Sequence, residues 1–436
     1  MKRLFPGGVH PADRKALSAG TAPVPAPIPT KVIIPLLQHI GAPCAPLVKP
    51  GDTVKLGQKI GDGPGLCVPA HASVSGRVLA VEPRRHTSGR EVLSVIIEND
   101  FRDTADQTLT PHMDPSSLTP EEILSIVREA GIVGMGGATF PTVVKTASSQ
   151  GKVDTIIANA CECEPYITAD DMLLCTYPEQ VVEGMRLLRR VLQPKRTVLA
   201  VEDNKKAAIE MLRKLLAGGQ EIELKVLPTR YPQGAEKQLI QAVTGREVPP
   251  GGLPSAVGCA VFNASTFAAI YQAVMLGQPL TRRIVTVTGE GVKQPQNFIA
   301  RIGTPFSELI EAAGGLTGDV WKVISGGPMM GMAQADLSAP VVKGTNAVLC
   351  LSQAQNDERE NPVCIRCGKC LEVCPMGLQP LYLYRYEQAR DLGALDRLHV
   401  LDCIECGCCA YTCPGKLPLV ERFRAGKRAI KEGASK

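Results

Sequence analysis

The stretches 364-CIRCGKCLEVCP-375 and 403-CIECGCCAYTCP-414 repeat one spacing, Cys-x-x-Cys-x-x-Cys-x-x-x-Cys-Pro. Thiolate sulfur is the soft ligand that iron–sulfur cubanes require, and cysteines at i, i+3 and i+6 wrap one cubane from a single tight loop. The fourth, followed by Pro, lies where the chain turns away, and in two-cluster modules it ligates the other cluster. The pattern therefore predicts one [4Fe–4S] cluster on Cys364, Cys367, Cys370 and Cys413. A second is predicted on Cys403, Cys406, Cys409 and Cys374. Structural zinc and disulfides are the competing readings. Zinc usually takes two Cys-x-x-Cys knuckles with no third cysteine at the same step. Disulfides suit a secreted chain, and Met1-Lys2-Arg3 is followed by no apolar signal region. Cys408, between two ligands, reads as a bystander thiol. A chain with two such cages moves single electrons.

Working outward, LYLYRYEQARDLGALDRLHVL joins the two motifs with helical spacing that sets Leu381, Tyr384, Ala389, Leu392 and Leu395 on one side. This predicts a helical two-cluster domain over 353–436. Its basic tail (Arg422, Arg424, Lys427, Arg428, Lys431) reads as a solvated helix face. Upstream, RRIVTVTGEGVKQPQNFIARIGTPFSELIEAAGG reads as strand, turn, strand and short helix, a small β-grasp-like domain over 279–352.

Over 116–278 strand-like and helical runs alternate: DTIIANA, PEQVVEGMRLLRRVL, RTVLAVED, KKAAIEMLRKLLAG, IELKVLP, GAEKQLIQAVTG. That alternation signals βαβ units, a Rossmann-like parallel sheet covered by helices, with ligands at the carboxyl ends of the strands. The domain opens on LTPEEILSIVREAG, where Thr119 caps, Pro120 starts and Glu122 closes a capping box. Over 1–115, a Pro-rich extended segment (19–30) leads into short strands separated by Pro-Gly-Asp and Ser-Gly turns. This module resembles the barrel-sandwich hybrid of biotinyl and lipoyl domains. The tip Asp62-Gly63-Pro64-Gly65-Leu66 carries no modifiable lysine, so a docking element is expected rather than a swinging carrier. His71 at its turn is expected to be a surface or capping residue.

With 436 residues the chain exceeds one compact core. Its 48 basic and 43 acidic side chains leave a net charge of +5, too balanced for nucleic acid, and aromatics at 4% disfavour base stacking. Sixteen cysteines without an export signal predict a reducing cytoplasm. No apolar run reaches the roughly 18 residues that span a bilayer, so membrane association is expected through partners.

The second centre of chemistry is 131-GIVGMGGATFPTVVK-145. Gly134, Gly136 and Gly137 let backbone N–H groups approach an anion, and Lys145 adds positive charge. No Gly-Lys-Ser/Thr follows, and position 139 is Thr where the dinucleotide fingerprint wants Gly, so neither common phosphate motif applies. GMGGATFPTVVK does resemble the GRGGAGFPTGLK loop of the flavin-carrying, NADH-oxidising subunit of respiratory complex I. Asn159-Ala-Cys-Glu-Cys-Glu-Pro-Tyr166 is similar to that subunit's NADESEPG, Tyr231-Pro-Gln-Gly-Ala-Glu236 to YICGEE, and Asn263-Ala-Ser-Thr266 to NNVETL. The order is kept, and the β-grasp segment follows in the same place.

The whole chain resembles the RnfC family of the Rnf (Rsx) ion-translocating electron-transport complex. The shared marks are Phe5-Pro-Gly-Gly-Val-His-Pro11, VIIPLLQHIGAP, PAHASVSG, NACECEPYITADD, GGPMMG and the doubled cysteine motif. The resemblance implies a peripheral subunit on the cytoplasmic face of the membrane. Such a subunit passes electrons between NAD(H), non-covalent FMN and two [4Fe–4S] clusters in ferredoxin:NAD⁺ oxidoreduction coupled to ion transport by membrane partners. It further implies that Gly134, Gly136, Gly137 and Lys145 bind FMN phosphate or the stacked nucleotide. Asn159, Glu162 and Glu164 would contact flavin and nicotinamide or ribose, and Asn263 with Thr266 would complete the pocket; no protein group acts as nucleophile or base. The residues depart from the complex I pattern at Ala235, Phe262, Cys161 and Cys163. Helix-start or salt-bridge roles are the alternative for Glu162 and Glu164, and Phe140 either stacks on the nicotinamide or packs in the core. A soluble cobalamin reductase with the same domain order and a wiring subunit without a nucleotide site are the rival functions. The choice of NAD over NADP comes from the resemblance alone.

Overall fold

The computed structural model describes residues 5–434, and the charged start Met1-Lys2-Arg3 lies outside them. DTIIANA becomes the strand Thr155–Ala160, and later apolar runs become Arg196–Glu202, Glu223–Leu227 and Cys259–Asn263. All pair in parallel, in the spatial order 223–227, 196–202, 155–160, 259–263. Helices Pro178–Leu192 and Ala264–Leu276 cross where Gly184 stands; a Cβ there would lie 2.0 Å from the Phe267 carbonyl oxygen. Val181, Met185, Leu188, Phe267 and Ile270 fill the core beneath them. Strand order reverses between 155–160 and 259–263, and there Asn159 and Asn263 are register partners. This is the switch point at which such sheets bind ligands. The Thr119 capping box forms as expected.

The N-terminal module stacks Lys31–Pro35, Glu91–Asn99, Gly76–Arg85 and Thr53–Val54 on a second sheet of Ala45–Pro46, Lys59–Asp62 and Ala70–His71. Their inner faces share Val32, Ile34, Val54, Ile60, Val78 and Ile97. The third domain is a six-stranded sheet (24–25, 296–301, 282–288, 347–352, 320–325, 332–333) packed on the helix Phe306–Ala312. Its edge strand comes from the Pro-rich segment: Val24 and Pro25 pair in parallel with Phe298 and Ile299. Prolines supply no ladder N–H, so an edge is where such a segment can dock.

From residue 353 on, the described residues form helices and turns without strands, as the spacing predicted. The linking helix differs in detail. It is split into Pro380–Gln388 and Leu392–Arg397 by Arg390, at φ 55°. The break resets the helical phase, so Leu383, Tyr384, Ala394 and Leu395 are buried while Ala389 and Leu392 face solvent. The basic tail also departs from expectation. In the helix Leu419–Ala434, Arg424 and Lys427 both bind Glu405, and Lys427 Nζ donates to the Cys403 carbonyl at 2.5 Å, which turns that face onto the second motif.

His71 is a further correction, since it is 5% exposed. Burial, together with the Lys343 and Lys59 charges, pushes its pKa down to about 3. Its turn-rich context concealed the domain docking that covers it. A histidine buried neutral contributes stability above its unfolded pKa, which is lost as pH falls and the unfolded chain takes the proton. Each pH unit below about 6.5 should therefore cost about 1.4 kcal/mol. Melting temperatures of wild type and His71→Gln, compared between pH 7.5 and 5.5 (about one unit below that pKa), should show a shallower acid loss in the variant. Parallel losses would refute the assignment.

Candidate electron-transfer site

The two cysteine motifs build two cages. Each motif's third cysteine lies in a short helix, Lys369–Glu372 or Cys408–Tyr411, entered through a left-handed glycine (Gly368, Gly407). Cys364, Cys367, Cys370 and Cys413 line one pocket. Cys374, Cys403, Cys406 and Cys409 line another. The fourth cysteine of each motif thus crosses to the other cage. Backbone N–H groups point at sulfur: Arg366 N to Cys364 (3.4 Å), Glu405 N to Cys403 (3.4 Å) and Leu378 N to Cys374 (3.3 Å). Burial pushes the thiols of Cys370, Cys374, Cys403 and Cys409 up, so they stay protonated until a metal displaces the proton. Four soft sulfurs per cage fit one cubane each. Cys408 also borders the second cage, but it packs with Val9 and Tyr231 in the join between domains.

The glycine loop leaves helix Pro120–Glu129 and re-enters at helix Thr142–Ser149. It is held from below: Met135 N–H donates to Thr266 Oγ1 at 3.0 Å, and Gly134 N–H to the Phe140 carbonyl at 2.9 Å. Gly136, Gly137 and Ala138 are exposed at its crest. Gly137 sits at φ 115° with nothing within 4 Å of where a Cβ would stand, an open cradle that only glycine adopts readily. Lys145 leans over the Phe262 ring at 5.3 Å and binds Glu236 Oε1 at 2.6 Å. An exposed glycine crest with a lysine beside it at a sheet switch point fits a flavin phosphate.

The other expected pocket residues converge here, with their polar atoms largely engaged. Asn159 Nδ2 donates to the Gly234 carbonyl at 2.8 Å, and its Oδ1 accepts from Cys161 N. Asn263 caps helix Ala264–Leu276 through Ser265 N and donates to Asp170 Oδ2 at 2.6 Å. Glu162 accepts from Asp170 N and Asp171 N at the start of helix Ala169–Thr176 and lies 3.9 Å from Lys15 Nζ, so it fills both alternative roles. Glu164 is half-buried; its Oε2 accepts from Met329 N at 3.1 Å while its buried Oε1 has no partner among the described residues. Burial raises its pKa to about 7.

Lys15 escaped the sequence reading. Its buried ammonium donates to the carbonyls of Glu162 (2.8 Å), Glu164 (2.9 Å) and Ile167, holding the 162–167 loop from inside. The only available signal was one lysine in a small-residue stretch, KALSAG, and its partners lie about 150 residues away. Met329, from GGPMMG, was visible only as a family mark.

The cage of Cys374, Cys403, Cys406 and Cys409 abuts this loop. Tyr231 Oη donates to the Cys406 carbonyl at 2.6 Å, and Val9 and Tyr231 exchange backbone bonds of 2.8 and 3.0 Å. Gly8 N donates to the Val373 carbonyl at 2.9 Å, and a Cβ on Gly7 (φ 62°) would lie 2.5 Å from the Cys374 carbonyl carbon. Gln238 Nε2 donates to the Pro375 carbonyl at 3.2 Å. The other cage faces outward, with Cys367 exposed and Val363 and Ile365 each 66% exposed.

A flavin cradle joined to two cubane cages defines a flavo-iron–sulfur electron-transfer protein. Residues 3–102 match the RnfC barrel sandwich hybrid domain, 127–272 the Nuo51 FMN-binding domain, 284–333 the SLBB domain and 356–414 the 4Fe-4S dicluster domain. The RnfC-type subunit of the Na(+)-translocating ferredoxin:NAD(+) oxidoreductase complex of Acetobacterium woodii is 47% identical over 98% of this chain and 97% of its own length. The proton-translocating counterpart from Clostridium ljungdahlii is 44% identical over 88% and 84%. The corresponding subunit of an ion-translocating oxidoreductase complex from Serratia proteamaculans is 44% identical over 98% of this chain and 61% of that longer protein. An NAD+-reducing [NiFe]-hydrogenase shares the fold over 74% of this chain and 65% of its own, at TM-score 0.51 and 23% identity. The chain belongs to the RnfC family of ion-translocating ferredoxin:NAD(+) oxidoreductase (Rnf) complexes.

Proposed function

We propose that the chain works peripherally on the cytoplasmic side of a membrane Rnf complex, exchanging electrons between NAD(H) and ferredoxin-linked partners while membrane subunits move an ion. No helix among the described residues is long and apolar enough to cross a membrane, in keeping with attachment through those partners. Bound FMN supplies the exchange between two-electron NAD(H) and one-electron cubanes. Around it, the N–H groups of Gly136 and Gly137 with Lys145 hold the phosphate, while the Gly134 N–H braces the loop on the Phe140 carbonyl. Asn159, Asn263 and Thr266 shape the pocket floor by fixing the Gly234 carbonyl, the Asp170 carboxylate and the Met135 N–H. Glu162 orients the loop that carries Glu164 toward the flavin. The ligands of the inner cluster are Cys374, Cys403, Cys406 and Cys409; those of the outer one are Cys364, Cys367, Cys370 and Cys413. The domains divide near residues 115, 278 and 352.

The observation that carries this reading is the Tyr231–Cys406 contact, which sets one cubane cage against the 231–236 segment whose Gly234 and Glu236 bind Asn159 and Lys145. Anaerobically purified chain reconstituted with FMN should show flavin absorbance that NADH bleaches, followed by cluster reduction. Lys145→Ala should weaken FMN binding about tenfold, or about 1.4 kcal/mol. A chain that binds no FMN, or flavin that NADH leaves oxidised, would sink the proposal.

A further inference from the structure

Three ligand-type side chains meet inside the N-terminal module, in neither cysteine motif. An imidazole nitrogen of His39 and the sulfurs of Cys44 and Cys67 all lie within 4.8 Å of one another. The three residues are only 6, 4 and 3% exposed. The two sulfurs stand 3.4 Å apart. In a tetrahedral zinc site with bonds of about 2.3 Å, sulfurs lie about 3.8 Å apart, so a small adjustment suffices.

The imidazole presents Nε2 as its lone-pair nitrogen, held by a long 3.3 Å bond from Val68 N–H that a metal ion would displace. Val68 N lies 3.3 Å from His39 Nε2, and an amide nitrogen can only donate, so Nε2 carries the lone pair. Nδ1 therefore holds the hydrogen and donates to the Ile40 carbonyl at 3.3 Å, the backing that metal-bound histidines commonly have. Both thiols face the same peptide, with Cys44 Sγ 3.3 Å and Cys67 Sγ 4.0 Å from Val68 O. That carbonyl is the natural fourth ligand.

We propose that His39, Cys44 and Cys67, with the Val68 carbonyl, bind one structural zinc ion. Binding releases two thiol protons and leaves two thiolates that neutralise the dication, so the buried site carries no net charge. Zinc has no redox chemistry and adds nothing to the electron path. It ties the loop after strand Lys31–Pro35 to the one before Ala70–His71. The join matters to the flavin loop. Ile40 N donates to the Thr139 carbonyl at 3.3 Å, and Lys343 Nζ bridges the carbonyls of Pro69 (2.7 Å) and Gly131 (2.6 Å). The ion thus steadies the face on which the N-terminal module meets the glycine loop.

The test uses the full chain, purified anaerobically with both clusters intact, incubated with zinc chloride and desalted. Elemental analysis should find about one zinc beside about eight iron, and zinc X-ray absorption should show sulfur at about 2.3 Å. Cys44→Ser and Cys67→Ser should each lose the zinc while iron content and cluster absorbance hold. If a serine variant fails to fold, the apolar pair Cys44→Ala with Cys67→Val serves, and slower alkylation of the two wild-type thiols with zinc present gives an independent readout. Four results would overturn the proposal: no zinc retained, zinc retained equally by the variants, copper in its place, or a Cys44–Cys67 disulfide.

Discussion

Replacing Cys374 by alanine is expected to empty the cage built mostly by the other motif. Cys374 belongs to the first motif by sequence, yet it lines the cavity of Cys403, Cys406 and Cys409. Iron should fall from about eight to about four per chain in Cys374→Ala, and equally in Cys413→Ala. The two variants should part company in electron transfer. In Cys374→Ala the missing cluster is the one beside Tyr231 and the flavin loop. NADH should then still bleach the flavin while the surviving Cys364 cluster stays oxidised and transfer onward drops to background. In Cys413→Ala the inner cluster should still accept electrons, and only the exit at the exposed Cys367 side should stall. Rapid-freeze EPR after NADH addition separates the cases. Reduction of the outer cluster at the wild-type rate in Cys374→Ala would overturn both the crossed ligation and the order of the clusters.

The crossing was legible because cubane ligation is a local rule: spacing of three, three and four residues dictates who can reach one cube. The parallel sheet was legible for a similar reason, since buried strands such as 155–160 read as continuous apolar runs whatever lies around them. What escaped the reading depends on partners distant in sequence. The strap from Phe5 to Pro25 has no periodicity of its own. Val9 bonds to Tyr231, Gly8 to Val373 and Val24 to the third domain's sheet, so its conformation is set by three surfaces it crosses. His71 was expected at the surface from its place at a turn, whereas docking against Lys343 and Gly131 buries it.

The site shows a finer split. Positions were legible and roles were not. Asn159, Glu162, Asn263 and Thr266 do gather at the switch point, but each has its polar atoms committed to protein partners. In the proposed function they would support the pocket rather than touch the flavin. Motif similarity identifies the place, while only the hydrogen-bond accounting tells a direct contact from a support.

Lys15→Met is the second change with a large expected effect, and it tests that distinction. The Lys15 ammonium is buried, and desolvation together with the Lys205 charge lowers its pKa while Glu162 and Glu202 oppose the shift. Methionine matches its length but leaves the carbonyls of Glu162, Glu164 and Ile167 and the Glu162 carboxylate without their donor. Breaking a buried charged pair by removing one partner costs about 3–5 kcal/mol. The loss falls on the 162–167 loop rather than on the cages, because no cysteine ligand contacts Lys15 among the described hydrogen bonds. The variant should therefore keep about eight iron per chain while FMN affinity drops. If only about 1.4–2.8 kcal/mol of the cost reaches the pocket, the dissociation constant rises about ten- to a hundredfold. FMN titration followed by fluorescence, with iron analysis alongside, reads both. Unchanged FMN affinity with an unchanged melting temperature would show that the buried ammonium does not hold the 162–167 loop in place.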